Sequence, residues 1–212
     1  MASEDFRQTA TVVPSPFPPL SKETLRQAAL EARKAYVATL SDADRAMLED
    51  ALAKVLRPLF ADARVIGGYS PLGSELSPMR ALDAAAGGGA TIAFPCFANP
   101  AKPFRFRAGP CEVPGPFGLL QPAIDEPEVV PDLVLVPLVA VDHRGARLGR
   151  GKGHYDRALA RLKRSKARLV GVGWPIQRLA DTIPADDWDV PLDAFVSPDA
   201  VEWFGQVPLP FH

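Results

Sequence analysis

Leu133-Val134-Leu135-Val136-Pro137-Leu138-Val139-Ala140-Val141 and, a short turn later, Arg147-Leu148-Gly149-Arg150-Gly151-Lys152-Gly153-His154-Tyr155-Asp156 decide the fold. The first is the most apolar run in the chain and reads as a buried strand. Beyond the second, apolar Ala158, Leu159 and Leu162 and basic Arg161, Lys163 and Arg164 read as a helix. The glycine-rich stretch is therefore expected to be a loop carried from a buried strand into a helix N-terminus. Glycines let backbone approach a ligand closely, and free N–H groups with the helix dipole favour an anion. Arg147, Arg150 and Lys152 add charge that suits phosphate or carboxylate.

The surrounding pattern alternates strands with helices. A helix is expected from Ser21, a plausible N-cap, to about Leu40, with Leu25, Ala28, Ala29, Ala32 and Tyr36 on its apolar stripe. Its other face carries Lys22, Arg26, Arg33 and Lys34. That face reads either as solvated or, for Lys22 and Arg26 four apart, as directed at an anion. Ser41-Asp42-Ala43-Asp44 fits a capping box, and Pro58 is expected to stop the second helix after Arg57. Strands are expected over 64–69, 90–94, 104–107, 168–173 and 193–197. Glu75 follows the first of these and precedes a helix beginning near Ser77-Pro78, which Gly87-Gly88-Gly89 terminates. It reads as a dipole-complementing carboxylate or as a ligand-facing one at the carboxyl end of a parallel strand. Phe117, inside Pro114-Gly115-Pro116-Phe117-Gly118-Leu119-Leu120-Gln121-Pro122, reads as core or pocket, with core slightly favoured. The pattern predicts an α/β fold with a mostly parallel sheet and helices on both faces.

Composition narrows the setting. The 212 residues suit one domain, and a formal net charge of −1 argues against global attraction to nucleic acid or anionic membrane. Cys96 and Cys111 form neither a disulfide framework nor a zinc spacing, which suits a reduced, cytoplasmic protein. No run approaches the ~20 apolar residues of a membrane span, and the N-terminus lacks a signal core. Pro14, Pro16, Pro18 and Pro19 mark residues 1–20 as a flexible leader before a single domain over 21–205 and a tail at 206–212.

The glycine stretch matches no common nucleotide motif. A Walker loop needs Ser or Thr after Gly-Lys, where Gly153 stands, and an earlier glycine where Ala146 stands. A dinucleotide fingerprint fails because position 154 is His. Asp156 at the helix start and Asp189 in a later loop are hard oxygen donors. Each alone reads as a cap or a solvated charge, but together beside a phosphate cradle they suit Mg²⁺.

Taken with Lys22-x-x-Leu25-Arg26, Glu75, Pro114–Gly118, Asp132–Pro137 and Asp142-x-x-Gly145, the stretch Arg147–Asp156 resembles the 5-formyltetrahydrofolate cyclo-ligase family. The resemblance runs from about Lys22 to Ser197. It implies a three-layer α/β/α fold related to sugar-phosphate isomerases and coenzyme A transferases. It also implies ATP- and Mg²⁺-dependent closure of 5-formyltetrahydrofolate to 5,10-methenyltetrahydrofolate, with ADP and phosphate released. By match to family positions, ATP falls to Lys22, Arg26, Arg147, Leu148, Gly149, Arg150, Gly151, Lys152, Gly153, His154 and Tyr155. The folate falls to Glu75, Ser70, Arg150, Gly151, Lys152, Gly153 and His154. Lys152 and Arg150 are expected to be catalytic, and Asp156 and Asp189 to hold Mg²⁺. Small-molecule substrates and a monomer are expected, with no nucleic-acid or membrane partner. The chain departs from the family at His154, where the loop usually closes Tyr-Tyr-Asp; His is smaller and titrates near neutrality.

Overall fold

The computed structural model describes residues 21–99, 102–151 and 153–205, with the backbone alone for His154. The expected leader and tail, and Lys152, lie outside the described residues. The helices are α1 (Lys22–Ala38), α2 (Asp42–Phe60), α3 (Met79–Gly87) and α4 (His154–Arg164). The first strands are β1 (Val65–Gly67), β2 (Thr91–Cys96), β3 (Arg105–Ala108), β4 (Val113–Pro114) and β5 (Leu120–Gln121). The rest are β6 (Leu133–Pro137), β7 (Ala140–Val141), β8 (Arg147–Leu148), β9 (Arg168–Val172), β10 (Ala194–Val196) and β11 (Val201–Trp203).

Seven strands form one sheet in the order β11-β10-β9-β6-β1-β2-β3. The inner five run parallel, and β3 and β11 pair antiparallel at the two edges. The strand β6 is buried on both faces. Leu133 and Leu135 pack with Leu52, Leu56 and Leu82 of α2 and α3, while Val134 and Val136 pack with Ala158, Leu159 and Leu162 of α4. This is the three-layer α/β arrangement expected from the alternation. Each fully buried Leu contributes about 1.5–3 kcal/mol relative to exposure, so these two faces hold the sheet together. The connection leaving β1 runs through α3 on one face, and that leaving β6 runs through α4 on the other. The adjacent strands β1 and β6 therefore diverge at their carboxyl ends, where open α/β sheets form their clefts.

Three expectations are corrected. Pro58 does not stop α2, which continues to Phe60. Proline in the last turn removes one backbone bond, and burial of Leu59 and Phe60 offsets that loss. The apolar run 133–141 is not one strand: β6 ends at Pro137, and Leu138 and Val139 bend away before β7. Side chains take the carbonyls there. The Arg33 guanidinium and the Gln177 amide donate to Leu138 O at 3.2 and 2.7 Å, and Gln177 also donates to Val139 O at 3.1 Å. Finally, Arg147 and Leu148 belong to a buried strand, β8, paired antiparallel with β7, and not to a loop. Leu148 joins Leu25, Ala29, Val139 and Ala140 in a cluster beneath α1. The edge strand β11 is not among the expected strands: Val201-Glu202-Trp203 alternates, but three residues are too short a run to read as a strand.

Asp142 fixes the β7–β8 turn. Its buried carboxylate accepts from the N–H groups of Arg144, Ala146 and Ile183 at 2.8–3.0 Å and from the Arg144 guanidinium. Gly145 completes the turn at φ +78, and a Cβ there would stand 2.7 Å from Leu192 O. Burial pushes the Asp142 carboxyl up, but those hydrogen bonds outweigh it and hold the group below its ordinary value. A depressed folded-state pKa contributes stability that is complete above the unfolded value and fades as pH falls through the folded one. Asp142→Asn is therefore expected to lower stability by about 2–4 kcal/mol near neutral pH, shrinking as the medium is acidified. Thermal melts of both proteins from neutral pH into the acid range measure this convergence.

Candidate active site

A cavity opens at the carboxyl ends of β1, β2 and β6. Ser70 and Glu75 reach it from the loop after β1, Pro95 and Phe97 from the end of β2, and Pro137 and Leu138 from the end of β6. Lys22 and Arg26 of α1 form another wall, with Asp189 from the loop before β10. Arg147 to Gly151, Gly153, Tyr155 and Asp156 complete it. Every described residue singled out in the sequence for ligand or metal thus borders one space. The side chain of His154 and all of Lys152 lie outside the described residues.

Paired charges organise the cationic wall. Lys22 donates to Asp186 at 2.6 Å and also to Asp189. Burial lowers its pKa, but the bonds to those two carboxylates win and leave the ammonium above its ordinary value. Arg26 donates its Nε to Gly149 O at 2.8 Å and pairs with Glu23, so the glycine loop is anchored on α1. Lys22 and Arg26, on the basic face of α1, are therefore not simply solvated: both border the cavity. Arg147 is 8% exposed and ion-paired with Asp156, and its buried Nε has no hydrogen-bond partner among the described residues. Burial pushes its pKa down against the pull of Asp156, yet a guanidinium stays charged. The same guanidinium lies 5.9 Å from the centroid of the Tyr155 ring.

The opposite end is built around Glu75, which is 7% exposed. Its Oε1 accepts from Arg150 Nε and Nη2 at 3.1 and 2.8 Å, and its Oε2 accepts from Leu72 N at 2.9 Å. Glu75 is thus a carboxylate held in the cavity wall, three residues before the α3 cap, and does not itself cap the helix. Behind it lies a polar strut that the sequence did not reveal. Arg33 Nε donates to Ser74 Oγ at 3.0 Å, Trp174 Nε1 donates to Ser74 O at 2.9 Å, and Trp174 N donates to Gln177 Oε1 at 2.8 Å. Arg33, expected on the solvated face of α1, is 2% exposed. The spacing could have found it, since Leu25, Ala29 and Arg33 follow one another at intervals of four along the buried stripe.

Aromatic rings line the remaining wall. Phe117 meets Phe97 edge-on at 5.9 Å, Phe97 meets Phe104 at 5.4 Å, and Phe104 meets Tyr155 at 5.0 Å. Phe97, Phe117 and Tyr155 border the cavity, so Phe117 lines the pocket and the slight preference for core is overturned. The residue is 43% exposed and its backbone left-handed at φ 64, a conformation costing a non-glycine residue about 1–2 kcal/mol. Gln121 secures the hairpin that carries it, accepting from Phe97 N at 3.0 Å. Burial, then the charge of Glu75, push the Tyr155 phenol far above its ordinary range, so it remains a neutral group.

Cationic and apolar walls meeting at a strand switch point define a small-molecule enzyme site of the open α/β class. The sequence signature described as the 5-formyltetrahydrofolate cyclo-ligase family matches residues 19–198. The chain is 34% identical to a 5-formyltetrahydrofolate cyclo-ligase of Mycolicibacterium smegmatis, over 85% of this chain and 95% of that protein. It is 41% identical to one of Escherichia coli over a shorter stretch, 39% of this chain and 48% of that protein. Among solved structures it is similar to a 5,10-methenyltetrahydrofolate synthetase of Aquifex aeolicus, with a TM-score of 0.72 and 29% identity over 90% of this chain and 96% of that one. The chain belongs to the 5-formyltetrahydrofolate cyclo-ligase family, a family of ligases.

Proposed function

We propose that this protein is an ATP-dependent ligase that closes 5-formyltetrahydrofolate to 5,10-methenyltetrahydrofolate, releasing ADP and phosphate. The observation that carries the reading is the cavity itself. It joins a phosphate-suited end, Lys22, Arg26 and Arg147 around the glycine loop, to an end with a fixed carboxylate and aromatic rings. ATP takes the first end. The Arg147 guanidinium borders that end, and backbone left-handed at Gly151 (φ 82) and Gly153 (φ 63) leads into α4. The reduced pterin takes the second, its N–H groups donating to Glu75, with Ser70 beside it and the Phe97–Phe117 wall against the rest of the ring system.

The chemistry follows from the poor leaving ability of a formyl oxygen. That oxygen attacks the γ-phosphorus and ADP departs, giving an N5-iminium phosphate. N10 then adds to the formyl carbon and loses its proton, and the C–O bond breaks with phosphate leaving. Atoms balance, and the protein chiefly aligns reactants and spreads phosphate charge. Arg150, bound to Glu75 and adjoining the glycine loop, links the two ends and is assigned with Lys152 to the transferring phosphoryl group. Asp156 and Asp189 fit Mg²⁺ by donor type: both border the phosphate end, and Mg²⁺ takes one or two carboxylates together with phosphates and water. Bound there, the ion would supply charge neutralisation across phosphate oxygens. Lys22 and Arg147, now paired with these carboxylates, would share them with the ligand. The protein is read as a cytoplasmic monomer acting on small molecules; no helix among the described residues is long and apolar enough to cross a membrane.

Purified protein with 5-formyltetrahydrofolate and Mg-ATP is expected to form the methenyl product, followed by its absorbance, with one ADP per product. ADP formation without product would move the reading to another formyl or amide acceptor, and binding without turnover to a non-catalytic relative. Phe117→Gly tests the aromatic wall. Relief of the left-handed backbone offsets the lost ring contact, so stability should stay within about 1 kcal/mol. KM for the folate is expected to rise about tenfold, the worth of one aromatic contact, with KM for ATP unchanged.

A further inference from the structure

Arg33 stands where packing alone would choose an apolar residue. It follows Leu25 and Ala29 at intervals of four on the buried stripe of α1 and is 2% exposed. Its guanidinium donates to two neutral acceptors, Ser74 Oγ at 3.0 Å and Leu138 O at 3.2 Å, and makes no ion pair among the described residues. Leu138 O does not depend on it, because Gln177 Nε2 also donates there at 2.7 Å. Burying a charge without an ion-pair partner is costly, and an apolar side chain of similar volume is commonly as stable or more so. A residue that breaks the local rule in this way marks a place where stability has been traded for function.

What Arg33 reaches is the segment that carries Glu75. That segment is pinned from several elements. Tyr69 Oη donates to Leu76 O at 2.5 Å, Arg45 Nη2 to Glu75 O at 3.1 Å, and Trp174 Nε1 to Ser74 O at 2.9 Å. Arg45 and Arg150 also bring charge to it, but both are partly open to solvent and paired with carboxylates, Glu49 and Glu75. Arg33 is sealed from water. Burial lowers its pKa, and the charge of Glu75 is the largest influence raising it, with Arg150 acting in the other direction. Glu75 therefore lies between two guanidinia, Arg150 bound to its Oε1 and Arg33 behind Ser74.

On the reading of the site given above, these two cations have different tasks. Arg150 is assigned to the transferring phosphoryl group, and as it turns there Arg33 stays with Glu75. We propose that Arg33 is a positioning residue for the folate: through Ser74 it fixes the Glu75 carboxylate against the pterin N–H groups, and it supplies the counter-charge while Arg150 serves the phosphoryl group.

The test is a double-mutant cycle between Arg33→Met and Glu75→Gln, read by steady-state kinetics with each substrate varied in turn. Methionine continues the apolar stripe, so the melting temperature should stay within about 5 °C of wild type. Arg33→Met is expected to lower kcat/KM for 5-formyltetrahydrofolate about tenfold, with KM for ATP rising much less. In the Glu75→Gln protein the same substitution should cost less than about twofold, because the group that Arg33 positions is already gone. Arg33→Lys should recover part of the loss, since it returns the charge without the planar fork. Ser74→Ala removes only the hydroxyl that joins the two and leaves the stripe intact. It should cost about threefold alone and nothing further beside Glu75→Gln. Losses of equal size in both backgrounds, equal rises in KM for the two substrates, or wild-type kinetics in both Arg33→Met and Ser74→Ala would overturn the positioning role while leaving the ligase reading intact. No turnover by the wild-type protein would overturn both.

Discussion

Arg147→Met is expected to lower kcat/KM by about 10²–10³, the usual loss when one donor to developing charge is removed. The guanidinium is buried and bound to Asp156, its Nε has no hydrogen-bond partner among the described residues, and on the proposed reading the residue borders the phosphates. Methionine fills much of the same volume without the donors. Because the Asp156 side chain is 29% exposed, water can take up its freed carboxylate, and the fold should lose only about 1–2 kcal/mol. Catalytic loss should therefore exceed what the shift in Tm explains. Arg147→Lys keeps a charge but not the planar fork, and should recover only part of the rate. Wild-type turnover in the methionine variant would remove Arg147 from the reaction.

Glu75→Gln should produce a loss that falls mainly on the folate. Both carboxylate oxygens already accept hydrogen bonds, Oε1 from Arg150 and Oε2 from Leu72 N. An amide must turn an NH₂ toward one of these donors, so the 72–75 loop loses a bond and the pterin loses an acceptor. The expected result is a fall of about 10²-fold in kcat/KM for 5-formyltetrahydrofolate, as for a site whose buried polar group is left mismatched. KM for ATP should rise much less than KM for the folate, because Lys22, Arg26 and Arg147 are untouched and only Arg150, which Glu75 holds, is disturbed. Steady-state kinetics with each substrate varied in turn measures the split. Equal losses for both substrates would show that Glu75 serves the cavity as a whole.

How much of this was legible in the sequence depends on the range of the interaction. The apolar run at Leu133 and the amphipathic α4 carry their own periodicity, so the layers and the parallel sheet could be read directly. The ends of that run could not. Pro137 closes β6 because side chains from α1 and from beyond β9, Arg33 and Gln177, claim the next carbonyls. Arg147 and Leu148 looked like loop beside so many glycines, yet Asp142 and the burial of Leu148 under Leu25 and Ala29 make them a strand. The residues that border the cavity could be singled out one by one, but their pairings could not. That Arg150 holds Glu75, that Arg26 holds the loop at Gly149, and that Lys22 bridges Asp186 and Asp189 are tertiary facts. Arg33 was misread because charge suggested solvent, although its position on the stripe beside Leu25 and Ala29 argued for burial.

The central claim is that the formyl oxygen itself is phosphorylated. 5-Formyltetrahydrofolate carrying ¹⁸O in its formyl group, turned over with Mg-ATP, should deliver that ¹⁸O into inorganic phosphate, one label per methenyl product, detected by mass spectrometry. Unlabelled phosphate with the ¹⁸O recovered in water would contradict it, because the formyl oxygen would then have left without ever bonding to phosphorus.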